Sequence, residues 1–164
     1  MSQKGYTFIE LMMVLATMAS LTMLGLATVS TQTAHQRLTD AGRQLISDLR
    51  LVRQKAITEG ISKSIRFDPN GRKYLLPDFG ERALPSQTYF GLRPEVSPLP
   101  NSTRPDDGVS FQGNTVVFQP NGTIMGVGGA VYLTHDAIRN EAIAISVITT
   151  GRVKIRRWSG NAWQ

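Results

Sequence analysis

The sequence predicts an α+β protein in which one long N-terminal helix packs on a mostly antiparallel β domain. Three patterns support this. No charged residue occurs at positions 11–34, so the chain begins with a long apolar segment. Apolar residues then recur at helical spacing as far as Glu59, and beyond Gly60 they alternate with polar residues, which is typical of strands. A chain of 164 residues suits one such domain with its helix.

The apolar segment is long enough to cross a lipid bilayer as a helix. Residues 11–34 would span roughly 36 Å, against a hydrocarbon core of about 30 Å. Glu10 lies at its start, and a charge at bilayer depth costs roughly 2.5 to 3.5 kcal/mol, so we expect this carboxylate to be functional. Cleavage after Gly5 would create an α-amino group on Tyr6, one helical turn from Glu10. A secretory signal peptide has a shorter apolar core without an acid, and a plain anchor leaves Glu10 unexplained.

The helix is predicted to continue to Glu59 with one apolar side. Spacings of three and four relate six apolar residues of this half: Leu38, Ala41, Leu45, Leu49, Val52 and Ala56. The other side mixes basic residues with Asp40 and Asp48, which is typical of a solvated face. The apolar stripe therefore has to pack on the β domain, and Gly60 is the expected C-cap.

Short strands are predicted after Gly60. A turn sequence Asp-Pro-Asn-Gly at 68–71 joins strands at 62–67 and 73–76 into a hairpin, and Pro-Asn-Gly at 120–122 joins 116–119 to 123–125. The other predicted strands are 109–111, 130–134, 142–148 and 152–158. Residues 77–107 include six prolines. We expect this segment to be loop-like, with at most a short strand at 89–92.

Composition excludes several kinds of site. The chain has no cysteine, so it forms neither a disulfide nor a thiolate metal site. Its two histidines, His35 and His135, are far apart in sequence and predict no metal site. The glycines at 126–129 lack the following Gly-Lys-Ser/Thr of a phosphate loop. We therefore predict that the protein is not an enzyme and has no cofactor.

Basic residues are concentrated in the last predicted strand. Positions 60–164 hold 12 basic and 8 acidic residues, and four of the basic ones lie in the last 14 positions, which contain no acid. Five residues form the candidate site for an anionic partner: Arg152, Lys154, Arg156, Arg157 and Trp158. Because side chains alternate between the two faces of a strand, cations on one face lie about 6.6 Å apart. This distance is close to the phosphate spacing of an extended nucleic-acid strand.

The same C-terminal segment contains aromatic rings, and its basic residues also have a simpler explanation than binding. Trp158 and Trp163 could stack on bases. Alternatively, the charges only prevent edge-to-edge association of a terminal strand, or pair with Asp106, Asp107 or Glu141.

The N-terminal motif is the most specific in the chain. Gly-Tyr-Thr-Phe-Ile-Glu-Leu at 5–11 resembles the Gly-Phe-Thr-Leu-Ile-Glu-Leu signature of type IV prepilins and type II secretion pseudopilins, with Tyr6 for the usual Phe. The resemblance implies that prepilin peptidase cuts after Gly5, that Tyr6 is N-methylated, and that Glu10 neutralises the N-terminus of a neighbouring subunit in the fibre. It also implies a single-pass protein of the bacterial inner membrane, with its head in the periplasm until a pilus or pseudopilus incorporates it.

The predicted β domain is similar to the head of the FimT/GspH group of minor pilins and pseudopilins. The shared marks are a Phe-x-Pro-x-Gly turn at 118–122 and a final Gly-Arg strand at Gly151 and Arg152. FimT-like members resemble this chain in a C-terminal Gly-Arg-x-Arg motif that binds DNA in natural transformation. Here Lys154 replaces the second Arg, which keeps the charge without the bidentate fork.

The resemblance implies a minor pilin that binds DNA without sequence preference. Two alternatives stay open: a GspH-like pseudopilin of type II secretion that contacts other pseudopilins and exported proteins, or a structural initiator of pilus assembly without a ligand. The predicted division is a leader at 1–5, a transmembrane and assembly helix at 6–34, its amphipathic continuation at 35–59, and a periplasmic head at 60–164.

Overall fold

The computed structural model describes residues 7–100 and 102–164, with the backbone alone for residues 21–31. The chain divides into two compact units, the first ending at Thr33 and the second beginning at Ala34. Gly5 and Tyr6, the predicted processing residues, lie outside the described residues. The elements in chain order are α1 (Phe8–Glu59), β1 (Lys63–Asp68), β2 (Lys73–Leu76), β3 (Gly80–Ala83), β4 (Thr88–Phe90), a 3₁₀ turn (Gln112–Asn114), β5 (Thr115–Phe118), β6 (Gly129–His135), β7 (Ile138–Val147) and β8 (Val153–Ser159).

The predicted long helix is present and ends where the sequence indicates. The hydroxyl and carbonyl oxygens of Thr7 accept the N–H of Glu10, at 3.4 and 3.1 Å, which caps the start of α1. All six residues of the predicted stripe are at most 2% exposed. Gly60, with φ 68°, follows the last helical residue in the left-handed conformation that glycine adopts most easily. In the described part of the chain, no helix is both long and apolar enough to cross a membrane.

One antiparallel sheet, called the first sheet, has the strand order β3-β2-β1-β5. Its central hairpin confirms the predicted turn, in which the Asp68 carboxylate accepts the N–H of Gly71 at 3.0 Å. The second predicted hairpin is shorter than expected. After β5 and the turn, the returning arm makes a bridge between Phe118 and Ile124.

The other antiparallel sheet, called the second sheet, has the order β4-β6-β7-β8. β7 begins at the buried Ile138, four residues before the predicted start, so only Asp136 and Ala137 connect it to β6. The polar residues Asn140 and Glu141, which suggested a loop, continue the strand at its partly exposed beginning.

The prediction that residues 77–107 are loop-like is wrong in part. β3 pairs with β2, and β4 pairs with β6. The rest covers the outer face of the second sheet, where the Tyr132 hydroxyl accepts the N–H of Leu99 at 3.1 Å. The guanidinium of Arg104 donates to four carbonyl oxygens of this cover, those of Leu92, Arg93, Pro94 and Val96.

One hydrophobic core lies between α1 and both sheets. The apolar stripe of α1 faces it, together with the inward side chains of β1, β2, β5, β6 and β7. Gly42 lets the helix approach the second sheet closely, since a Cβ there would lie 3.0 Å from Ile143. A smaller apolar layer on the outer face of the second sheet includes Tyr132, Leu99 and Trp158.

Candidate functional site

The candidate basic strand is β8, at one edge of the second sheet, where it pairs with β7 alone among the strands. Val153 enters the main core, Ile155 approaches Gly42 of α1, and the Arg157 guanidinium donates to the Thr39 hydroxyl of α1. These odd-numbered residues therefore face the helix. By the two-residue period of a strand, Lys154, Arg156 and Trp158 face the outer side.

Arg157, which belongs to the candidate site, lies on the opposite face of β8 from Lys154 and Arg156, because it turns towards α1. Ile155 faces α1 as well and is 40% exposed, because the strand lies at the edge of its sheet.

Trp158 is not available for stacking on bases, contrary to prediction. It is 7% exposed and packs in one cluster with Val96 and Ala142. Trp163 covers it edge-on, with ring centroids 5.5 Å apart, and donates its indole N–H to the Ser97 carbonyl at 2.9 Å. Both tryptophans thus hold residues 92–99 against the outer face of the second sheet. The sequence does not show this role, because it depends on a segment that is far from them in the chain.

Three of the four basic residues at and just before β8 have no side-chain partner in the described structure. Arg152 and Lys154 are exposed and Arg156 is half-buried, and among the described residues none of the three has a side-chain hydrogen bond or ion pair. The acids proposed as alternative partners are engaged elsewhere in two cases. Glu141 contacts His35 at 3.0 Å, and Asp107 accepts from the amide of Asn114 at 2.6 Å.

Part of the backbone edge of β8 is also open. Arg157 and Gln164 exchange two backbone hydrogen bonds of 3.0 and 2.9 Å, so the polar groups of Arg157 point away from β7. The two-residue period makes those of Val153 and Ile155 point the same way. No other backbone hydrogen bond in the described chain engages these two residues on that side.

Beside Arg156, a groove of about 580 Å³ crosses the outer face of the second sheet. Its lining includes Leu99 on one side and Ser146 of β7 on the floor. Val127, 86% exposed, lies at its rim. The groove therefore combines one cation with apolar and hydroxyl groups.

Two turns meet at the start of β8. Gly122 and Gly151 have φ values of 80° and 74°, and a Cβ on Gly151 would overlap the Gly122 carbonyl oxygen. Arg53 of α1 donates its Nε–H to the same oxygen at 2.8 Å. Sequence reasoning placed Arg53 on a solvated face, and no local pattern distinguishes it from the exposed Arg50.

Both glycine turns lie within the part of the chain that matches a known protein family. The family model of type II transport protein GspH matches residues 41–151, which include the C-terminal part of α1, both glycine turns and every strand before β8. The chain belongs to the GspH family. The predicted resemblance to the minor pilins and pseudopilins is thereby confirmed.

Solved structures with a similar fold cover most of the chain. A crystal structure of the type IV minor pilin FimU of Pseudomonas aeruginosa has a TM-score of 0.55 at 13% identity, covering 80% of this chain and 96% of FimU. The minor pseudopilin EpsH of the Vibrio cholerae type 2 secretion system has a TM-score of 0.49 at 14% identity, covering 73% and 95%. No curated protein sequence gives a significant match. The likeness to FimU confirms the fold.

Glu10, the predicted assembly residue of this GspH-family protein, lies in the first unit. It is exposed, and apolar neighbours on every side of the helix are exposed as well: Phe8, Ile9, Leu11, Met12, Met13, Val14, Leu15 and Met18. Its carboxylate has no hydrogen bond or ion pair within the described chain. An exposed apolar surface of this extent is typical of a site that contacts another protein or lipid.

Proposed function

We propose that this GspH-family protein is a minor subunit of a type IV pilus or type II secretion fibre, held in the inner membrane by residues 6–34 before assembly. The exposed apolar surface of the first unit, with Glu10 as its only described charge, supports this proposal. Prepilin peptidase removes residues 1–5 and methylates Tyr6. The new amino group of one subunit then pairs with Glu10 of its neighbour.

Processing and assembly are tested separately. Mass spectrometry of the protein from fibre-forming cells is expected to find N-methylated Tyr6 as the first residue, and an intact Met1 or Ser2 contradicts the proposal. Glu10→Ala is expected to insert and be cleaved normally but to be depleted from sheared fibres. Glu10→Asp, the matched control, is expected to recover part of the incorporation because it keeps the charge. Normal incorporation of Glu10→Ala removes the role proposed for this carboxylate.

Beyond its role as a fibre subunit, we propose that the head of this protein binds DNA without sequence preference. The observation that carries the proposal is that three cations lie in a row without side-chain partners among the described residues, Lys154 and Arg156 on the outer face of β8 and Arg152 just before the strand. Lys and Arg side chains in a row contact phosphates, and such contacts do not read bases. Because binding would release counterions, its affinity is expected to fall steeply with salt.

The test is fluorescence anisotropy of a short labelled duplex with the full chain in a nonionic detergent, across a salt series. Arg152→Gln/Lys154→Gln/Arg156→Gln is expected to weaken binding at least tenfold at about 0.1 M salt and to lower the salt slope by about three. The control Arg66→Gln/Arg72→Gln removes two exposed cations at the β1–β2 hairpin and is expected to change affinity little. Absence of wild-type binding at low salt removes the proposal.

One observation favours a pseudopilin role as the second candidate. The groove beside Arg156, with Val127 at its rim, could accept a segment of another pseudopilin or of an exported protein. This function predicts a secretion defect for Val127→Asp, without any retention of DNA by the wild type.

A further inference from the structure

A row of residues on α1 runs alongside β8. Thr39, Arg43, Ile46, Arg50 and Arg53 recur at spacings of four, three, four and three, which places them along one line of the helix. Both ends of the line are fixed by contacts. Thr39 accepts from Arg157 at one end, and Arg53 donates to Gly122, beside Gly151, at the other.

The lengths of the row and the strand agree. From Thr39 to Arg53 the helix rises about 21 Å, and from Gly151 to Arg157 an extended chain covers about 20 Å. Arg43 and Arg50 therefore lie beside the middle of β8, about 10 Å apart along the helix. Both are exposed, and neither has a side-chain partner among the described residues.

Between the helix and the strand runs a surface that we call the β8 furrow, consisting of Arg43, Arg50 and the open backbone edge at Val153 and Ile155. Unpaired N–H groups of the edge point out of the sheet. Lys154 and Arg156 project from the outer face of the same strand. The edge is thus flanked by cations on both sides, and no acid contacts these four side chains in the described structure.

We infer that the β8 furrow seats one phosphodiester backbone of DNA, with Arg43 and Arg50 as phosphate contacts from the helix. This inference rests on the proposed DNA binding. It adds phosphate contacts from α1 to those from β8. Phosphate oxygens accept from Arg and Lys and also from backbone N–H groups, and the furrow presents both kinds of donor in a line. A partner with only scattered carboxylates would not use such a continuous row of donors.

The experiment measures binding of the same labelled duplex to the full chain in nonionic detergent. Arg43→Gln/Arg50→Gln is expected to weaken binding about tenfold at about 0.1 M salt and to lower the salt slope by about two, because two phosphate contacts are lost. Arg66→Gln/Arg72→Gln is the control with the same change of net charge. Urea unfolding is measured for each variant, and equal midpoints show that the substitutions act on binding.

Three results overturn the inference. If Arg43→Gln/Arg50→Gln binds like the wild type while the β8 triple variant loses affinity, DNA lies on the outer face alone and DNA binding itself stands. If the control loses as much affinity as the furrow variant, only net charge matters. If the wild type binds no DNA at low salt, the proposed DNA binding is wrong, and the inference about the β8 furrow is wrong with it.

Discussion

Both flanks of α1 carry charged side chains, but those beside the first sheet are paired within the fold, whereas Arg43 and Arg50 beside β8 are unpaired in the described structure. On the flank beside the first sheet, the buried carboxylate of Asp48 accepts from the Tyr74 hydroxyl at 2.6 Å and from Arg82 at 3.3 Å. Burial is the main reason why the pKa of Tyr74 is far above its usual value, and its hydrogen bond to Asp48 raises it further. This flank therefore uses its charges to attach the helix to β2 and β3.

A second cluster of paired charges lies on the same flank. Lys63, 9% exposed, contacts Glu59 at 2.6 Å and Asp78 at 2.7 Å, and Lys55 adds a contact to Asp78 at 3.3 Å. On the flank beside β8, by contrast, Arg43 and Arg50 have no side-chain partner among the described residues. Charges of the first kind stabilise the fold, whereas charges of the second kind are available to another molecule.

The largest effect on stability is expected at the turn before β8, where backbone packing, and not charge, positions the strand. Gly151→Ala places a Cβ against the Gly122 carbonyl oxygen at φ 74° and is expected to cost at least about 3 kcal/mol of unfolding free energy. Gly60→Ala is the matched control, because φ is 68° and nothing lies within 4 Å of the added Cβ. This control is expected to cost about 1 kcal/mol, because an L-residue is disfavoured in the left-handed conformation. Urea unfolding measures both, and equal losses would show that the turn junction does not hold β8.

Asp48→Ala tests the paired flank directly. The substitution leaves the Tyr74 hydroxyl and the Arg82 guanidinium without their acceptor, and we expect a loss of about 3 kcal/mol. Asp40→Ala removes an exposed carboxylate of the same helix and is expected to change stability by less than about 0.5 kcal/mol. A small effect of Asp48→Ala would abolish the distinction between the flanks.

Local patterns predicted much of the fold. The stripe of α1 and the Asp-Pro-Asn-Gly turn are decided by residues close in sequence, so the helix and the first hairpin were found. β3 was missed because Gly80–Ala83 has exposed, charged residues without alternation, and its pairing with β2 alone makes it a strand.

The candidate site was predictable only as a charged strand. Alternation along β8 follows from the sequence, but the burial of Trp158 depends on Val96, which is far away in the chain. The position of Arg43 and Arg50 beside β8 likewise depends on tertiary contacts at Thr39 and Arg53. Sequence alone assigned these helix residues to a solvated face.

The pH dependence of stability offers a finer test of the paired flank. Hydrogen bonds from Lys63 and then Lys55 lower the pKa of Asp78 below its ordinary value of 3.8. The unfolded chain therefore takes up this proton at a higher pH than the folded protein, so stability falls as the pH drops below about 4. Asp78→Asn is expected to remove part of this fall in acid unfolding curves. Asp106→Asn, which alters an exposed carboxylate without an ion pair, is the control; if both curves coincide, the cluster contributes no stability.

The smallest effect is expected for the unpaired cations themselves. Arg152→Gln/Lys154→Gln/Arg156→Gln removes three charges that no described group neutralises, so the unfolding free energy is expected to change by about 0.5 kcal/mol or less. Mutual repulsion among the cations would make the variant slightly more stable at low salt, and added salt would remove that gain by screening. Urea unfolding at low and high salt measures both terms. A loss above about 1 kcal/mol would mean that β8 needs its charges for folding, and a binding defect of this variant would then no longer identify a contact with DNA.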